Sequence, residues 1–199
     1  MAKGRPRKSG AREPNGRLVR REKADMEAIE MQRNNLRARC LALGISPNVR
    51  NMRAVRTQMA GCNAGRAIIR GIADGEERVD LFGAVQHMRR VVARYDSAIG
   101  APRRHAVCLR LLVPLDALEA SADDPAPDDR TDEEKAVSAV AAYMSLQGWL
   151  GFVDARARSE ALRVCLDDET VRDPDGLLRA LACIVEGLDG RRIQFRGRS

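Results

Sequence analysis

The sequence predicts an all-α protein: a helical bundle with a disordered basic N-terminal tail and a helix-turn-helix candidate near its front. Three observations carry that expectation. Apolar residues recur at i, i+3 and i+4 through most of the chain, helix start and stop signals bracket those runs, and no convincing strand pattern appears. At 199 residues the chain is long enough to bury a real core.

Residues 1–17 contain three glycines, two prolines and almost no apolar side chain, so they cannot bury enough surface to offset chain entropy. From Leu18 the pattern turns helical. Leu18, Met26, Ile29, Leu36 and Leu43 follow a loose 3.6-residue period, and Gly44 is the expected C-cap. "ISPN" restarts a second helix near Val49, with Met52, Val55 and Met59 on one face. Gly61 and Gly65 weaken that helix, and Ala67, Ile68 and Ile72 resume it.

"EERVDLFGAVQHMRRVVARYDSAIG" is the clearest helix of the chain. Phe82, Val85, Met88, Val92, Tyr95 and Ile99 form its stripe, and Gly100 followed by Pro102 ends it. "CLRLLVPL" is a short apolar run interrupted by Pro114, readable as a buried strand, a helical turn or a packed loop. In "TDEEK" Thr131 and Glu134 make a capping box. The helix it opens runs through Val137, Val140, Ala141 and Met144, with Gly148 as a kink point before Leu150, Val153, Leu162 and Cys165. In "RDPDG" Asp173 is the N-cap of a last helix and Pro174 its first turn, with Leu177, Leu178, Leu181, Ile184, Val185 and Leu188 buried.

These elements suggest five regions: a basic DNA-contacting tail at 1–17, a basic helical domain at 18–119, an acidic linker at 120–130, an acidic helical domain at 131–190 and a basic tail at 191–199. The linker "ASADDPAPDD" either divides two helical domains or is a long loop inside one bundle.

Charge is unevenly spread. Residues 1–23 carry nine Lys/Arg against two Glu, residues 24–114 fifteen basic against eight acidic, and residues 115–199 eleven basic against eighteen acidic. A front half this positive fits a polyanionic partner, and the acidic half fits protein or solvent. Arginine outnumbers lysine 31 to 4, and its guanidinium fork suits phosphate and groove contacts. No apolar run approaches the roughly 20 residues that span a bilayer, and the basic start leads into no apolar signal core. No membrane partner is expected. The five cysteines are odd in number and widely spaced, as in reduced, buried thiols of the cytoplasm. His105 and Cys108 lack a second pair at ligand spacing, so neither a metal nor a cofactor is expected.

Gly4-Arg5-Pro6-Arg7 resembles the core of the AT-hook, a peptide that lies extended in the A·T minor groove. Pro6 fixes its own φ and pushes Arg5 towards an extended conformation. Gly4 permits close backbone approach, while Arg5 and Arg7 reach into a narrow, negative groove. Lys3, Lys8 and Arg12 then pair with flanking phosphates.

"RCLALGISPNVRNMRAV" resembles a helix-turn-helix. Gly44 takes the tight turn, Ile45 and Val49 pack the helices together, and Arg50, Asn51, Arg53 and Arg56 face the major groove or its phosphates. The common pattern has one more residue between the glycine and the apolar anchor, and its small first-helix residue is here Cys40. The alternative is two packed helices with a capped joint.

Nothing points to catalysis, and an enzyme is not expected. The carboxylate groups at Asp123/Asp124, Asp128/Asp129 and Asp167/Asp168/Glu169 have no partner histidine, and His87 and His105 read as surface residues beside arginines. No phosphate-binding loop, dinucleotide fingerprint or nucleophile elbow occurs.

A "GRPRK" leader, a helical core with a turn candidate and an acidic helical end together resemble the small, DNA-recognition subunit of phage terminases. That resemblance implies a double-stranded DNA partner, a homo-oligomer, a large motor subunit and the cytoplasm of a bacterial host. A DNA-binding regulator or nucleoid-associated protein is the first alternative, and a virion structural protein with a polyanion-binding tail the second.

Overall fold

A computed structural model describes residues 21–102 and 129–196. Seven α-helices and one 3-10 turn make up the described residues, with no strand among them. The fold class is all-α. The helices are α1 (Arg21–Ala42), α2 (Val49–Ala54), α3 (Asn63–Gly71), α4 (Gly75–Ala98), α5 (Asp132–Leu150), α6 (Ala155–Asp167) and α7 (Pro174–Leu188). They divide into two compact units, Met1–Thr57 and Gln58–Ser199.

The second unit is a bundle around α4, which packs against α3, α5, α6 and α7. One apolar core joins Ile68 of α3, Val85 and Met88 of α4, Leu146 and Leu150 of α5, Val164 of α6 and Leu181 and Ile184 of α7, all inaccessible to solvent. Helices before and after the acidic linker therefore share a single core. The linker joins parts of one bundle, and the chain divides at Thr57/Gln58.

Local capping chemistry sets the helix starts. Asp74 Oδ2 accepts from Glu77 N at 2.8 Å to open α4. In the capping box Glu134 N donates to Thr131 Oγ1 at 3.2 Å and Thr131 N to Glu134 Oε2 at 2.8 Å. Asp154 caps α6, and Asp173 caps α7 with Pro174 in the first turn. The α5 helix passes through Gly148 without a break and ends at Gly151, because a helical glycine costs only about 1 kcal/mol and no proline follows. Gly187 has a reason to lack a side chain: a Cβ there would run into the Trp149 ring, so α5 and α7 approach closely only across a glycine.

The C-terminal stretch read as a basic tail is tied down as far as it is described. Ile193 packs on the core, Arg196 N donates to Phe152 O at 2.8 Å, and the Arg196 guanidinium pairs with Glu186. The run 108–115 lies outside the described residues. Cys40, Cys62, Cys165 and Cys183 are free and buried, and burial pushes the Cys165 thiol up to about 12. Cys108 lies outside the described residues.

Candidate nucleic-acid interface

The first unit is small. Its α1 helix ends in a Schellman turn, in which Ile45 N donates to Cys40 O at 3.0 Å and Gly44 N to Leu41 O at 2.9 Å. Gly44 adopts φ +74°, a left-handed conformation that costs any side-chain-bearing residue. The tight turn expected at Gly44 is there. Asn48 Oδ1 then accepts from Asn51 N at 2.8 Å and starts α2.

The packing of the joint differs from the expectation. Val49 is 81% exposed and Ile45 36%, so neither joins the two helices. The buried apolar residues among the described residues of this unit are instead Leu36, Cys40 and Val55, each at most 9% exposed. Val49 stands at the first position of α2. Val55, six residues on at about 100° each, faces a different side. Arg39, half-buried in the last turn of α1, completes the joint by donating to Val55 O at 3.1 Å and Thr57 O at 3.3 Å. Sequence reading missed this residue, whose only local signal is a cation at a helix C-terminus.

The four proposed major-groove residues fall into two groups. Asn51 is occupied within the turn, its Nδ2 donating to Ser46 O at 2.8 Å. Arg50, Arg53 and Arg56 are exposed, and no carboxylate among the described residues pairs with them. They recur every third residue along and just past α2, a spacing that keeps them neighbours on one flank. Two further exposed arginines, Arg33 and Arg37, stand one turn apart on α1. Lys3, Gly4, Arg5, Pro6, Arg7, Lys8 and Arg12 lie outside the described residues.

Several titratable groups of the second unit tie its elements together. Glu160, 6% exposed, accepts from Arg172 N at 2.6 Å, Asp173 N at 3.1 Å and Arg163 Nη2 at 2.7 Å. Burial alone would raise its pKa, but these donors together hold it below the ordinary glutamate value. Asp168 closes α6 at φ 51°, its Oδ1 accepting from Asn63 N at 2.8 Å, and Glu169 pairs with Arg163 at 2.6 Å. His87 is half-buried, with its ring 5.8 Å from Trp149, and burial, then Arg90 and Arg94, lower its pKa. His105, Asp123, Asp124 and Asp128 lie outside the described residues.

No family model, curated protein or solved structure matches the chain. Three exposed guanidiniums, without carboxylate partners among the described residues, stand beside a capped joint, and charge of this kind is weakly hydrated and costs little to desolvate.

Proposed function

We propose that the protein is a non-catalytic binder of double-stranded DNA, in its most specific form the DNA-recognition subunit of a phage packaging terminase. The observation that carries the reading is the exposed trio Arg50, Arg53 and Arg56, without carboxylate partners among the described residues, in a half of the chain with a large excess of arginine. With Asn51 held in the turn, the trio acts on phosphates more than on base edges, so it contributes affinity more than sequence preference. The leader supplies a second attachment, and two weak contacts on one chain raise each other's effective concentration. A dimeric DNA-binding regulator is the second reading, and the outer face of α5 favours it.

Fluorescence anisotropy on labelled duplexes across a salt series tests the proposal. Replacing the trio by alanine is expected to weaken A·T-rich and G·C-rich duplexes alike and to lower the log–log salt slope by about 2 to 3. Deleting residues 1–17 is expected to cost more, above all on A·T-rich duplexes. A wild-type chain that ignores duplexes at low ionic strength overturns the proposal. An unchanged slope in the triple variant overturns the role of α2.

A further inference from the structure

The α5 helix is apolar nearly all round. From Ala136 to Leu150 it carries no charged residue. Its inner side is accounted for: Ala139, Leu146 and Leu150 are buried, and Tyr143 stacks on Tyr95 of α4 with ring centroids 3.9 Å apart. Its outer side is not. Val137 is 65% exposed, Val140 40% and Met144 64%, with Ala141, Ser145 and Gly148 exposed among them. Ser145 Oγ donates to Ala141 O at 3.1 Å, so its hydroxyl is satisfied within the helix. At about 100° per residue these six positions fill one continuous arc of about 140°, directly opposite the buried side. Single exposed apolar residues are ordinary, but a continuous charge-free arc marks an interaction surface.

We infer that this face docks against the same face of a second copy of the chain, with the two α5 helices antiparallel about a two-fold axis. Two observations select that occupant. The first is steric. With the axis between Val140 and Ala141, Val137 meets Met144 of the second copy and Val140 meets its Ala141, so large residues face large or small ones in register. Small Ala141, Ser145 and Gly148 let the helices approach closely.

The second is charge. Glu133, exposed, stands at the N-terminal end of the arc, and Arg158, exposed, lies at the other end, where its guanidinium donates to Gln147 Oε1. Antiparallel docking brings Glu133 of each copy towards Arg158 of the other, and it opposes the two helix dipoles favourably. A parallel pair would bring Glu133 to Glu133. The face spans twelve residues, about 18 Å, and a single helix pair is small beside the roughly 1,200 Å² of stable interfaces, so a weak dimer is expected. The inference rests on α5 alone and holds whether or not the chain binds DNA.

Sedimentation equilibrium of the full chain across the micromolar range tests it. The wild type is expected to pass from one to two copies and stop there, since an isologous face closes at two. Met144→Glu is expected to weaken association about tenfold or more, with an unchanged melting temperature at concentrations where both proteins are single copies, because the residue lies outside the core. Glu133→Arg is expected to weaken it less, and adding Arg158→Glu to restore it. A chain that stays single, a mass that climbs past two copies, or a dimer indifferent to Met144→Glu overturns the inference. The last result would move the contact elsewhere, for example to Met26 and Ile29 of α1. Failure of the charge swap to restore association overturns the antiparallel arrangement.

Discussion

The half-buried arginines among the described residues concentrate in one of the two units. In the second unit several serve the fold, while Arg90, Arg94 and Arg192 stay exposed. Arg78 donates to Ile72 O at 2.7 Å and Ile69 O at 3.0 Å, Arg89 to Cys165 O at 2.6 Å, and Arg163 bridges Glu160 and Glu169. Among the described residues of the first unit Arg39 alone is used that way, while Arg50, Arg53 and Arg56 are exposed. The difference follows from what each unit can bury. The bundle has a core large enough to hold charged stems and satisfy their heads on carbonyls and carboxylates. The α1–α2 pair buries Leu36, Cys40 and Val55 and has little interior to offer. Guanidiniums there stay outside, available to a partner.

Truncating a core residue in each unit sharpens that contrast most. Leu181→Ala removes a fully buried side chain from the shared core of the bundle, and a loss of about 2–5 kcal/mol is expected from denaturant midpoints. Leu36→Ala, at the edge of the smaller unit, is expected at or below the low end of that range. Equal losses would mean that the first unit is as tightly packed as the second.

Glu160 comes next. Glu160→Gln weakens the charge-assisted bond to Arg163 and turns an amide towards two backbone donors, at an expected cost of about 1–3 kcal/mol. The pH dependence has a definite sign. The folded pKa of Glu160 lies below its unfolded value of about 4.3. Its stabilisation is therefore complete above that value and is lost as pH falls through the lower folded one. Between neutral pH and about pH 3, the wild type is expected to lose more stability than Glu160→Gln. Parallel losses would show that the carboxylate is not what makes the α6–α7 connection acid-sensitive.

Much of the helical plan is legible in the sequence because capping acts over three residues. Thr131 with Glu134, Asp173 before Pro174, and the glycines at 44 and 100 each stand where their local chemistry places them. Features decided by distant neighbours are not legible. A helix apolar on every side does not say which side faces in, so the exposure of Val137 and Met144 appears only once α4 and α7 are in place. The acidic run at 120–129 has the composition of a domain boundary, yet long-range packing of α3 and α4 on α5, α6 and α7 decides otherwise. At the candidate interface, Arg50, Arg53 and Arg56 were legible as exposed cations. Asn51 was not legible as a turn residue, because its partner Ser46 belongs to a loop whose shape Gly44 sets.

The smallest expected effect tests that turn. A Cβ at Gly44 would meet no atom within 4 Å, so Gly44→Ala adds no clash and isolates the cost of the φ of +74°. That cost is about 1 kcal/mol, or roughly fivefold in a local opening equilibrium. Amide exchange at Gly44 and Ile45, whose N–H groups close the Schellman turn, is expected to quicken by that factor, while Gly44→Asn, better suited to the left-handed region, changes it less. If the joint aims the arginine trio, duplex affinity falls in the same order, alanine below asparagine below wild type. Exchange that quickens with no change in affinity would separate the two: the turn would hold α2 in place, and the arginines would reach their phosphates from any orientation.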